Sequence, residues 1–139
     1  MPRLVARWVL ALLYGFAGYA HIAIPAVFLA ITPDWVPLKL PVVIGTGLAE
    51  IAGAAALLQP WSRNLRRCGA IGLAMYAVCV FPANINHFMM DMARADGGAG
   101  LVYHVPRMFA QPMIIWLSLW AGEVLDWPLR LRSPLFTRE

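Results

Sequence analysis

Seven side chains able to do chemistry stand in or beside long apolar runs: His21, Glu50, Asn84, His87, His104, Arg107 and Gln111. In Phe81-Pro82-Ala83-Asn84-Ile85-Asn86-His87 an apolar run turns polar before it has ended. Pro82 frees a backbone carbonyl one turn back, and Asn84 and His87, three apart, project to the same side of a helix. His104, Arg107 and Gln111 recur at i, i+3 and i+7 and share another helical face. Glu50 lies in the middle of a third apolar run. A carboxylate exposed to lipid costs about 2.5 to 3.5 kcal/mol even on insertion scales, so Glu50 must face other helices and be paired or protonated. Arg107 and the three histidines are its available partners.

Such a set suits the polar head of a lipophilic molecule. A quinone-like head is the foremost expectation, with Arg107, Gln111 and His21 on its carbonyl oxygens and Glu50 as the proton carrier. Glu50 and His21 are also the candidates for an acid and base pair in an intramembrane isomerase or hydrolase. In a purely structural protein, Glu50 and Arg107 would only join helices, while His87 and His104 reach the headgroups. His21, His87, His104 and Glu50 are suitable metal ligands by type, yet they come from four different helices and lack the local spacing of a zinc helix. Nothing marks any of these histidines as a haem ligand. Met89, Met90 and Met92 read as apolar filler before they read as a copper site.

Positioning these groups falls to four apolar segments, approximately residues 4–31, 42–59, 68–90 and 101–125, followed by a basic tail over 126–139. Each segment is long enough to cross the hydrocarbon core. Arg3 and Arg7 give the first the look of a signal peptide, but three further segments make it a first membrane helix, long and tilted or kinked at Pro25. Pro33, Pro37 and Pro41 make the following stretch a loop, with Trp35 at interfacial depth. Gly45, Ala49 and Gly53 predict a flat stripe for close helix approach. Asp91 to Gly100 reads as an acidic, Gly-rich loop, Pro106 fits a first helical turn, and Pro112 lies inside a helix.

Composition agrees with a membrane class. Of 139 residues 61% are hydrophobic and 13% charged, and the mean hydropathy is +0.68. The net charge of +4 and pI of about 9.6 do not signal nucleic acid, because the arginines flank apolar runs without interleaved aromatics. Cys68 and Cys79, eleven apart on one segment, lie about 16 Å apart along a helix and cannot bridge. Eight of the eleven basic residues fall on one side of the predicted topology: Arg3, Arg7, Arg63, Arg66, Arg67, Arg130, Arg132 and Arg138. The positive-inside rule then makes both termini cytoplasmic. The polar residues fall in the outer part of the membrane, with Glu50 near mid-depth as the floor of an outward-opening cavity.

Four motifs in order resemble the DoxX family of small four-helix bacterial membrane proteins. They are Ala17-Gly18-Tyr19-Ala20-His21, Gly47-Leu48-Ala49-Glu50-Ile51-Ala52-Gly53-Ala54, Phe81-Pro82-Ala83-Asn84-Ile85 and Arg107-Met108-Phe109-Ala110-Gln111. The resemblance implies an all-α four-helix transmembrane bundle in the bacterial inner membrane, with His21, Glu50, Asn84, Arg107 and Gln111 as its recurring polar set. It also implies a redox-associated accessory subunit with a redox protein partner. An activity does not transfer with it, and the small-residue stripes leave oligomerisation open.

Overall fold

A computed structural model of the chain describes residues 1–127. The predicted basic tail, with Arg130, Arg132 and Arg138, lies outside them from residue 128 onward. Five helices and no strands form among the described residues: α1 Pro2–Ala23, α2 Pro25–Ile31, α3 Lys39–Leu58, α4 Arg63–Met92 and α5 Gly100–Ala121. The expected count of four is corrected by the first segment, which is two helices. Ile24, at φ −134° and ψ 56°, leaves the helical region between them. The cause is Pro25, whose ring disfavours helical geometry in the residue before it and which lacks the N–H that would continue the ladder.

Other boundaries move outward from those predicted. Ser62 caps α4, its hydroxyl accepting from the Leu65 N–H at 3.2 Å, so the basic residues between the second and third predicted segments form the first helical turn. Asp91 ends that helix instead of opening a loop. Pro106 lies seven residues into α5 and not in its first turn. The helices α1, α3 and α4 are long and apolar enough to cross a membrane. The 22-residue α5 is not among them, since His104, Pro106, Arg107, Gln111 and Pro112 dilute its hydropathy.

Each long helix packs on two others: α1 on α3 and α5, and α4 on α3 and α5, while α2 lies over α1, α3 and α4. Small residues set these distances, but of the predicted stripe's two glycines only Gly53 takes part. A Cβ on Gly18 would stand 2.5 Å from the Gly47 carbonyl oxygen, and one on Gly47 would stand 2.7 Å from His21 Cβ. Gly53 lies against Leu73 and Gly69 against Ala56, but Gly45 faces open space. The core, with Leu10, Leu57, Ala70, Leu73 and Ala121, sits toward the arginine-rich end of the bundle. Large apolar side chains such as Phe16 and Phe109 point outward, 75% and 73% exposed, the reverse of a water-facing surface.

At the core end Glu123 gathers Arg7, Arg63 and Arg66, while Arg3 pairs with Asp126. At the other end the pairs are Lys39 with Asp34 and Arg94 with Asp96. Basic residues are therefore concentrated at one end, as they are in the sequence.

Candidate binding cavity and its polar walls

Beyond the core the helices separate around a cavity of about 480 Å³. Its wall is chiefly apolar, from Leu13, Val43, Val80 and Ile114, and its rim includes Phe28 of α2 and Trp35 of the following loop. Five of the seven sequence-predicted residues line it: His21, Glu50, Asn84, Arg107 and Gln111. His87 and His104 do not, and stand behind Arg107.

One polar wall is the contact of α1 and α3, made close by Gly18 and Gly47. His21 Nδ1 lies 2.9 Å from Glu50 Oε2 and 2.9 Å from the Ala17 carbonyl oxygen. A carbonyl has no hydrogen to give, so Nδ1 carries the ring hydrogen and directs it at Ala17, one turn back. Glu50 Oε2 is left in ion-pair range without a hydrogen bond, on a residue 2% exposed. The His21 ring stacks on Phe28 with centroids 3.8 Å apart, which ties α2 to this wall. Tyr76 and Tyr14, two hydroxyls that sequence reading passed over, line the same cavity. Tyr76 places its hydroxyl beside Glu50.

The opposite wall is a chain of hydrogen bonds between α4 and α5. Arg107 Nη2 donates to Asn84 Oδ1 at 2.6 Å, and Asn84 Nδ2 donates to Gln111 Oε1 at 3.2 Å. Gln111 Nε2 in turn donates to the Ala77 carbonyl at 2.5 Å, one residue before the Val78 carbonyl that Pro82 deprives of its helical donor. Arg107 also lies over the Tyr103 ring, 4.8 Å from its centroid. Of the partners available to Glu50 the structure brings up His21, and the Glu50–Arg107 pair of the purely structural alternative is not formed: Arg107 meets Asn84 and His87.

Behind Arg107 the chain continues to Asp91, a residue that sequence reading assigned to the mobile loop. Arg107 Nη1 lies 3.1 Å from His87 Nδ1, and His87 Nε2 lies 3.5 Å from Asp91 Oδ2. The same oxygen accepts from His104 Nε2 and from the Ala99 N–H, each at 2.9 Å. His104 is fully buried. Gly98, at φ +53°, lets the loop fold over this carboxylate, since a Cβ there would collide with Asp91 Cγ. The spacing of His87 and Asp91 at i and i+4 was the available signal.

His87, Asp91 and His104 bring three ligand-type atoms within 4.8 Å of one another, the one such group of three or more among the described residues. His21 and Glu50 are not with them, so the set His21, His87, His104 and Glu50 does not converge on one ion. Arg107, a donor only, makes His87 Nδ1 an acceptor and so assigns the ring hydrogen to Nε2, the atom that would have to ligate. This tautomer suits a hydrogen bond to Asp91 and opposes a metal.

Residues 10–124 match the model of a domain family of unknown function, DUF8561. The chain belongs to this family. No curated protein matches it, and no solved structure does. The DUF8561 match corrects the resemblance to DoxX, for which no match was found. The motifs that suggested DoxX are short and rich in Ala, Gly, Pro and Phe, residues that small helical membrane proteins use for close packing and kinks. The redox-associated role and redox partner implied by that resemblance lose their ground with it.

Proposed function

We propose that this DUF8561 protein is a membrane-embedded binding protein whose cavity holds a small lipophilic molecule by an oxygen-bearing head. The observation that carries this reading is the buried Glu50 Oε2, which makes no hydrogen bond although His21 and the Tyr76 hydroxyl stand beside Glu50, in an apolar cavity that also exposes a guanidinium. A buried acceptor without a donor costs on the order of 1–3 kcal/mol, which a ligand hydroxyl would recover. Arg107 serves a second oxygen, and the apolar wall takes the body of the molecule. A quinone or quinol head, with an oxygen at each end, is the reference compound for such a site. In this reading the chain crosses the bacterial inner membrane as a bundle of four long helices, α1, α3, α4 and α5. Both termini are cytoplasmic, and the cavity opens outward under α2 and Trp35.

Mass spectrometry of protein purified in a mild detergent tests the proposal. A defined oxygen-headed lipophile should co-purify with the wild type and be bound at least about tenfold more weakly by Glu50→Gln. Absence of any such molecule, with no thermal shift on adding a quinone, would sink it.

The 2.9 Å approach of His21 to Glu50 favours a second reading, in which the two act as base and acid on the bound molecule in an isomerase or hydrolase. Under that reading Glu50→Gln retains the ligand but loses turnover; unchanged turnover in this variant eliminates it.

A further inference from the structure

Arg107 differs from Arg3, Arg7, Arg63 and Arg66 at the core end of the bundle in lacking an acidic partner; the exposed Arg67 there donates to the Glu123 backbone carbonyl. Arg3, Arg7, Arg63 and Arg66 each pair with Glu123 or Asp126, and Arg94 pairs with Asp96. Arg107 makes none of the ion pairs formed among the described residues. Its contacts are an amide oxygen, an imidazole nitrogen accepting as a neutral ring, and the face of Tyr103. Asp91 stands beyond the His87 ring and is engaged by His104 and the Ala99 N–H. The guanidinium is a cation that presents five N–H donors, of which these partners take two.

A half-buried cation against an apolar cavity, with only neutral direct contacts, leaves an electrostatic demand that neutral donors and acceptors do not meet. Glu50, the other ionisable group on this part of the wall, lies against His21 and forms no ion pair with Arg107. We infer that the cavity selects lipophilic monoanions: molecules with an apolar body and a carboxylate or similarly acidic oxygen, held by the free edge of the Arg107 guanidinium. Two parallel N–H···O contacts from a planar fork to an oxyanion are stronger than the same contacts to a neutral oxygen by roughly a factor of two. His87 and Asn84 hold the fork in place, one on each terminal nitrogen. The apolar wall then accounts for the chain of the ligand, and Arg107 for its charge.

This inference rests on the cavity being a lipophile site, and the test separates the two. The full chain is reconstituted in zwitterionic-lipid nanodiscs at about pH 9, where an alkanoate is ionised. Dodecanoate and dodecanol, equal in chain length, are measured by equilibrium dialysis against empty nanodiscs. Dodecanoate should bind at least about tenfold more tightly than dodecanol in the wild type. Arg107→Gln should remove that preference, and Arg107→Lys should restore part of it. Equal affinities for the two compounds overturn the monoanion inference and leave the lipophile site standing. Binding of neither overturns both. The wild-type comparison decides the matter even if Arg107→Gln fails to fold.

Discussion

Gly18 and Gly47 face each other with no room for a side chain on either, and the position of His21 against Glu50 depends on that contact. The closest backbone neighbour of a Cβ on Gly18 would be the Gly47 carbonyl oxygen, which belongs to a helix and cannot swing aside. Gly18→Ala should therefore destabilise the protein by about 1–3 kcal/mol, read as a lowered midpoint of thermal unfolding in detergent. It should also weaken ligand retention, because separating α1 from α3 withdraws His21 from the carboxylate. Gly45→Ala is the control: nothing lies within 4 Å of its added methyl group, and stability should stay unchanged or rise slightly. A Gly18→Ala variant as stable as the Gly45→Ala control would show that the close approach is dispensable.

At the scale of elements, the end of α5 is joined to α1 and α4 through one carboxylate. Burial pushes the Glu123 carboxyl up, but hydrogen bonds and charge from Arg7 and Arg63 outweigh it and hold the group below its ordinary value of 4.5. A carboxyl depressed in the folded state adds stability that is complete above the unfolded value and lost as the pH falls through the folded one. The unfolding midpoints of wild type and Glu123→Gln should differ at about pH 7 and converge as the pH is taken below about 4. A gap that persists at low pH would mean the contribution is packing and not charge. At the opposite end Asp91 plays the corresponding part for the loop between α4 and α5, with the Ala99 N–H and two imidazoles on one oxygen. Each polar cluster thus fixes one end of the bundle, and the cavity lies between them.

For the molecule as a whole, the arginines and their two acidic partners occupy one end and the loops carrying Lys39 and Arg94 the other. This asymmetry predicts which end stays in the cytoplasm. In a background with Cys68→Ser and Cys79→Ser, a single cysteine at Ala95 should react with a membrane-impermeant maleimide in intact cells. One at Asn64 should react only after lysis. Both positions are exposed, so reagent access is limited by the membrane alone. The reverse labelling pattern would invert the orientation and place the cavity mouth on the cytoplasmic side.

Hydropathy and residue type determined much of this protein without reference to any fold. An all-helical chain with membrane-length segments follows from 61% hydrophobic residues and 13% charged ones, because so little polar surface cannot clothe a water-soluble domain. The polar residues worth attention were also legible, since an uncharged lipid environment makes each of them costly and therefore conspicuous. The break at Pro25 was visible as one of two alternatives, and the ring chemistry of proline decided it in favour of two helices.

Partnership is what only the tertiary structure decided. The sequence offers Glu50 four partners, Arg107 and three histidines, and helix packing through Gly18 and Gly47 gives it to His21 and leaves Arg107 with neutral contacts. Asp91, which reads as a loop residue, is buried because α4 runs two residues past its apolar run and its packing on α5 sets His87 and His104 about one oxygen. The physical reason is common to these cases: residue type sets what a polar group requires, and only the approach of helices distant in sequence sets which group supplies it.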